Sequence, residues 1–352
     1  MKQKLTLLFT LMLSTLTASA YDAQVDGIYY NLITKAKQAE VTSGDTKYAG
    51  NVNIPESVTY NGVNYVVTSI EAGAFYDCVD LTSVTIPSNV TEIGNSAFEG
   101  CSGLTSLEIP NGVTFIGTDA FTGTAWLDNQ PEGLLYIGKV VYKYIGTMPE
   151  NTSISLKEGT TAIVGKAFHE CSGLISIDIP NTVTSIGMGA FTYCSNLTSV
   201  IIPQGVTSIG TSAFNSCYSL ASVSIPNSVT SIGSGSFYKC KALTEIVIPN
   251  SVIEIGYNAF QNCSNLTSVI IGNSVTLLNN SAFSGCSRLT DVYCYVENVP
   301  STGSNVFTES TIRSTTLYVP ALALENYKNS EPWSGFGNIV ALDDEQVVED
   351  VA

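Results

Sequence analysis

Charge is what this sequence lacks most. Asp, Glu, Lys and Arg together make up 12% of its 352 residues, about half the share found in an ordinary soluble domain. Hydrophobic residues make up 44%, so the chain can bury a large core and is not of the weakly hydrophobic, highly charged type that stays disordered. Its surface must instead be covered by Ser, Thr, Asn and Gly. Positive charge is scarcer still: 14 Lys and Arg stand against 30 Asp and Glu, a formal charge of −16. An acidic surface repels phosphate backbones and anionic lipid, so nucleic acid and membrane insertion are excluded as expected modes of action.

The residues of catalysis are also thin. His169 is the one histidine, which argues against His-dependent hydrolysis and most zinc sites. It follows a repeat Phe at a variable position and reads as an exposed surface residue. There is no P-loop, dinucleotide fingerprint or calcium loop, and the cysteines show no C-x-x-C pairing for a metal. No catalytic residue, metal or cofactor is expected. Glu108 and Asp178 share a strand position but sit several repeats apart, without the close spacing of a glycosidase pair.

Long apolar runs are missing except at the N-terminus. Lys2 and Lys4 precede an apolar stretch over residues 5–16, and Ala18-Ser19-Ala20 gives a small-residue cleavage pattern. This reads as an export signal over 1–20, cut after Ala20, and too short and rich in Thr and Ser to span a bilayer. Loss of its two lysines would take the formal charge from −16 to −18. The expected product is secreted or held at the cell surface.

What the sequence has in abundance is repetition. Phe75, Phe98 and Phe121 are 23 residues apart, as are Phe168, Phe191, Phe214, Phe237, Phe260 and Phe283. Phe121 and Phe168 are 47 apart, two periods and one residue, and Phe307 follows Phe283 by 24. A Leu six residues after the Phe (Leu81, Leu104, Leu174 and onward) and an Ile-Pro pair (Ile86-Pro87, Ile202-Pro203) keep the same frame. A fixed period of this length signals a solenoid.

One unit can be read physically over residues 183–203. Leu197, Val200 and Ile202 fall on one side of a strand with L-x-x-L-x-L spacing, and Pro203, lacking an amide hydrogen, ends its ladder. Residues 183–187 form a second short strand, and Gly187 is expected to permit a sharp turn. Residues 188–194 are too few for a stable helix; one tight helical turn is expected, with Ala190, Phe191 and Cys194 inward. No unit can bury these groups alone. Stacked units cover one another's apolar faces, and stability becomes a sum of nearest-neighbour terms.

The pattern SIGxxAFxxCxxLTSVxIP, over about 70–295, resembles the BspA-type leucine-rich repeat of bacterial surface proteins. The resemblance implies a right-handed, curved, β-rich repeat solenoid exposed by host-associated bacteria, and a role in adhesion that includes binding extracellular-matrix protein. It specifies the scaffold and not the ligand.

The expected organisation is an N-terminal β cap at 21–68, the leucine-rich repeat solenoid at 69–295, a C-terminal cap at 296–342 and an acidic tail at 343–352. Strands are expected at Ile28-Tyr29-Tyr30, Val52-Asn53-Ile54 and Tyr65-Val66-Val67, with a hairpin turn at Asn61-Gly62. An irregular hairpin insert is expected at about 122–153, turned by Gly138-Lys139. Its Trp126, Tyr136, Tyr142 and Tyr144 suit either a contact patch or packing against the solenoid. Trp333, Phe336 and Ile339 are expected to seal the far end.

Eight of nine cysteines, from Cys78 and Cys101 to Cys286, fall three residues after a repeat Phe. Disulfides suit an exported protein, but stacked parallel side chains suit disulfide geometry poorly. A ladder of buried thiols acting as small hydrophobes is the expectation, with Cys294 outside it.

The fifth position from each Leu should face outward on a concave sheet. It reads Thr85, Glu108, Asp178, Ile201, Ser224, Val247, Ile270 and Tyr293, polar first and apolar later. An exposed apolar stripe marks an interaction site or simply fills a flat sheet with strand-forming residues. The expected function is non-enzymatic binding of a host or extracellular-matrix protein by a monomer. The alternative is a polysaccharide-binding accessory protein that holds glycan through tyrosines such as Tyr136, Tyr142 and Tyr293.

Overall fold

The computed structural model describes residues 21–342. The export signal and the acidic tail expected from the sequence lie outside these residues. The described chain winds into a β-solenoid of about 12 turns with few helices.

One rung shows how the repeat folds. Ser199–Ile201 forms a first strand and Ser208–Ile209 a second, and residues 211–217 close the circuit as a turn segment. Leu197, Val200, Ile202, Val206, Ile209, Ala213, Phe214 and Cys217 are all buried inside. The second strands stack in parallel, Ile186 on Ile209 and Ile232 on Ile255, in a nine-stranded sheet. The phenylalanines from Phe168 to Phe283 stack with ring centroids 5.1–5.4 Å apart and planes within 7°. Each such burial contributes roughly 1.5–3 kcal/mol. Outside, Thr230 Oγ1 donates to the Thr207 carbonyl at 3.2 Å, which is why a surface so poor in charge is rich in Thr.

The turn segment differs from the expected helical turn. Around Phe191 the amides alternate: those of Gly189, Phe191 and Tyr193 donate to carbonyls of the next rung, while those of Ala190, Thr192 and Cys194 donate three residues back. Gly189 and Tyr193 hold this alternation with φ of 62°. A helical turn would keep its amides within the rung. Flipping alternate peptides aims them along the stack instead and extends the inter-rung ladder onto the third side. Gly187 follows the second strand where the chain turns, and its φ is not left-handed. A Cβ there would lie 2.3 Å from the Gly165 amide nitrogen, so glycine is required by the close approach of the preceding rung.

Between Phe121 and Phe168 the chain makes two turns, with Tyr144 where a repeat Phe would stand. Gly133–Ile137 and Val140–Ile145 form a hairpin turned at Gly138, φ 57°, and Val140-Val141 pair in parallel with Ala162-Ile163. The regular acceptor for the Phe121 amide is missing here, and the Tyr142 hydroxyl takes its place at 3.0 Å.

The ends are closed by different means. At the start, Ala23–Val25, Ile28–Ile33 and Gln38–Thr42 run antiparallel to one another, and Gln38–Thr42 pairs in parallel with Val63–Ile70. Asn61-Gly62 turns the hairpin of Ser57–Tyr60 and Val63–Ile70, with both φ values positive. The Tyr48 ring lies 4.5 Å from that of Phe75, ending the phenylalanine column. At the far end Phe307 meets Trp333 and Phe336 edge-on at 5.5 and 5.2 Å. Leu324–Lys328 forms a short helix whose Tyr327 is buried in the core.

Two buried hydroxyls give a matched test. Tyr142→Phe leaves the Phe121 amide without its acceptor and is expected to cost about 1–3 kcal/mol. Ser236 replaces the usual Ala, is fully buried, and its Oγ finds no partner. Ser236→Ala is therefore expected to stabilise the fold by about 1 kcal/mol. Denaturation of the two variants should move in opposite directions, and a shift of the same sign would refute this assignment.

Candidate binding surface

The outward row of the first strands is assembled by register. Thr85 lies beside Glu108, Ile201 beside Ser224, and Val247 beside Ile270, which is followed by Tyr293 and then Tyr318. Thr85, Glu108, Asp178, Ile201 and Ser224 are exposed. Ile201 stands out at 74% exposure.

The later half of the row differs from the expected open stripe. Val247 and Tyr293 are half-buried, and Ile270 is only 4% exposed. Ile270 packs with Tyr295 and Leu342 in a small apolar cluster on the outside of the sheet, against Val247, Tyr293 and Tyr318. The cause is the end of the chain: the last strand, Asn338–Ala341, pairs with Thr316–Val319 and delivers Leu342 to the cluster. Tyr293 and Tyr318 stack at 4.4 Å, so part of this apolar surface is spent on the fold itself.

The aromatics of the insert are packed rather than presented. Tyr142 is buried, and Trp126, Tyr136 and Tyr144 are half-buried against the core. The Tyr136 hydroxyl accepts the Lys157 amide at 3.0 Å, with the Lys157 ammonium 4.3 Å from the ring centre. Tyr144 instead helps line a polar cleft of about 620 Å³ that also holds Asp119, Asp128, Lys143, Lys166 and His169. Lys166 is ion-paired with Asp119, and the His169 ring faces Tyr193 edge-on at 5.9 Å. A second groove, of about 770 Å³, lies near the C-terminal cap between Tyr295, Val299 and Leu342, with Leu322 at its rim.

The cysteines form the expected column. All nine are buried and free. Successive thiols donate to the phenylalanine carbonyl of the preceding rung: Cys194 to Phe168, Cys217 to Phe191 and Cys240 to Phe214, at 3.1–3.2 Å. Each such carbonyl already accepts the cysteine amide of its own rung, so the thiol fills its second lone pair where Ala would leave it empty. Cys294, outside the column, meets the Tyr327 hydroxyl at 3.2 Å. Burial pushes the Cys171, Cys217 and Cys286 thiols up to about 12, and Cys294 to about 11. Among the described residues no cluster of three or more His, Cys, Asp or Glu side chains could hold a metal, and no helix is long and apolar enough to cross a membrane.

Two outcomes follow. Ile201→Ser should change stability by no more than about 0.5 kcal/mol, as surface changes do, whereas Ile270→Ser should cost about 2 kcal/mol or more; equal losses in chemical denaturation would contradict the burial difference. The thiols set a pH limit. Unfolded cysteines ionise near 9, while burial holds folded Cys217 and Cys286 nearer 12, so for these thiols the unfolded state alone gives up protons in between. Stability should hold below about pH 9 and fall progressively toward about pH 12. A pH series of unfolding curves that stays flat across that window would exclude this linkage.

The sequence has counterparts among known proteins. The model of the BspA type leucine-rich repeat region matches residues 68–150, 136–227 and 207–328, with six copies. Among solved structures, a leucine-rich repeat protein from Bacteroides ovatus is 25% identical, over 92% of this chain and 100% of its own, with a TM-score of 0.36. A leucine-rich cell surface protein from Faecalibacterium prausnitzii is 21% identical, over 94% and 97%, with a TM-score of 0.30. The pneumococcal vaccine antigen PcpA is 15% identical, over 91% and 98%, with a TM-score of 0.45. No curated protein matches the sequence. The chain belongs to the BspA-type leucine-rich repeat family.

Proposed function

We propose that this protein is an exported, non-enzymatic binding protein that engages a host or extracellular-matrix protein through the outward row of its first strands. One observation carries the reading: Ile201, a large apolar side chain at 74% exposure, sits on the row that also presents Glu108, Asp178 and Ser224. A solenoid gains nothing in its own packing from a side chain held that far into solvent. An apolar centre with a polar and acidic surround has the anatomy of a protein-binding surface.

Export is supported by the basic start, apolar run and small-residue site of residues 1–20. A non-catalytic role is supported by a core filled with identical stacked side chains and by a lone, exposed His169. A repeat scaffold of this kind varies its outward positions while keeping the core fixed. Glycan binding through Tyr136 or Tyr142 gains no support, since both hydroxyls accept backbone amides.

The test pairs Ile201→Ser with Val247→Ser and leaves buried Ile270 alone. Against a panel of immobilised matrix proteins, the chain spanning residues 21–352 is expected to bind at least one, and the double variant to bind it at least about tenfold more weakly, the scale of one lost apolar anchor. Unchanged binding by a variant that melts normally would remove the row from the interface.

A further inference from the structure

The turn edge of the middle rungs carries a surface unlike the rest of the molecule. The chain has a formal charge of −16, yet residues 179–244 contain no Asp or Glu, and their only cations are Lys239 and Lys241. Both lie on this edge together with Tyr193, Tyr218 and Tyr238. Backbone hydrogen bonds hold the three rungs in contact: Tyr193 N–H donates to the Asn215 carbonyl, Ser216 N–H to Tyr238, and Ala242 N–H to Tyr218. Tyr193 and Tyr218 are 46% and 38% exposed.

The two ammonium groups are held by rings rather than by carboxylates. Lys239 Nζ lies 5.0 Å from the centre of the Tyr238 ring, and Lys241 Nζ 5.2 Å from that of Tyr218. Among the described residues the ion pairs of lysine are Lys166–Asp119 and Lys328–Glu325, so neither Lys239 nor Lys241 is in one. A cation over a ring face keeps most of its charge available to an incoming anion. The nearest acid on the same edge is Glu170, one rung before Tyr193 and facing His169 at 3.9 Å. The acids of the sheet row face another side, and at physiological salt charges beyond about 8 Å are largely screened.

We propose that this edge binds an anionic polysaccharide, with Tyr193, Tyr218 and Tyr238 as platforms for sugar rings and Lys239 and Lys241 as partners for carboxylate or sulfate groups. The inference rests on the reading of the protein as a binding scaffold and adds a second surface to it. The rungs recur about every 4.8 Å, so rings and cations are offered at intervals that an extended sugar chain can follow. Two cations are too few for nucleic acid, whose binding draws on many phosphate contacts. The acidic surface that repels phosphate backbones elsewhere on the chain is absent from this edge.

The experiment measures binding of the chain spanning residues 21–352 to polygalacturonate and chondroitin sulfate, with neutral dextran and single-stranded oligo-dT as comparisons. One variant carries Lys239→Asn and Lys241→Gln; another carries Tyr193→Asn and Tyr218→Ala. Asn is chosen at 239 and 193 because both residues have positive φ, at 59° and 62°, which Asn tolerates. The expected result is salt-sensitive binding of at least one anionic glycan, weakened at least tenfold in each variant with unchanged melting. Binding of neither anionic glycan, equal binding of dextran or oligo-dT, or full retention by either folded variant would overturn the proposal. Ile201→Ser separates the two surfaces: it should leave glycan binding intact. Glycan failure with a positive matrix-protein result would sink this inference and spare the sheet-row reading.

Discussion

The amide of each repeat phenylalanine reaches into the next rung, and the rest of the structure depends on that reach. On the two strand sides, ordinary parallel ladders join the rungs. On the third side they would be joined only by side-chain packing if the turn segment kept its hydrogen bonds to itself. Alternating left-handed residues prevent this. The residues two before and two after each Phe take positive φ, as Lys166 and Glu170 do at 62° and 61°, and both amides donate across the gap. A non-glycine residue in this conformation costs about 1–2 kcal/mol. A hydrogen bond returns roughly 0.5–1.5 kcal/mol and brings the phenylalanine rings into stacking contact, so strain and ladder offset each other in every rung.

The same constraint explains what happens where the repeat breaks. A rung that loses its neighbour must find substitutes for backbone carbonyls and for an aromatic face, and tyrosine supplies both. Tyr142 meets Phe121 with its ring at 5.2 Å and accepts its amide through the hydroxyl. Tyr48 ends the first column and accepts the Tyr29 amide at 3.0 Å. Tyr327 closes the last turns by donating to the Val296 carbonyl at 2.9 Å. The tyrosines at irregular positions are thus structural in large part, which separates them from those on the turn edge.

Most of the scaffold was legible in the sequence because each rung repeats the same inward residues. Period, strand positions and the buried cysteine column follow from spacing alone. The turn segment was not legible: its left-handed sites are filled by Gly, Ser, Asn, Lys, Glu and Tyr alike, since the inter-rung hydrogen bond enforces the conformation whatever the side chain. The cause of the glycine at 187 was not legible for a related reason, because it arises from the neighbouring rung and not from its own φ. The outward row was half legible. Alternation along the strand gives the direction of Ile201 and Ile270 equally well, but only the path of the distant C-terminal strand shows that Leu342 shields one of them. The insert cleft lay beyond sequence reading, being a gap between two rungs.

A core that must be nearly identical in every rung leaves only outward positions free to differ, and on this chain those differences are sorted along the stack. Carboxylates stand both on the turn edge, at Asp77, Glu170 and Glu309, and on the sheet row, at Glu108 and Asp178, and are missing from residues 179–244, where the two lysines meet tyrosine rings. Random placement of acids among exposed positions would spread them over every rung, since the core barely distinguishes one rung from another. The backbone requirements do not account for the separation either: Glu170 shows that a carboxylate is tolerated at the same left-handed site that Lys239 occupies. The acid-free stretch therefore does not follow from how the rung folds, and it divides one uniform scaffold into chemically distinct lengths.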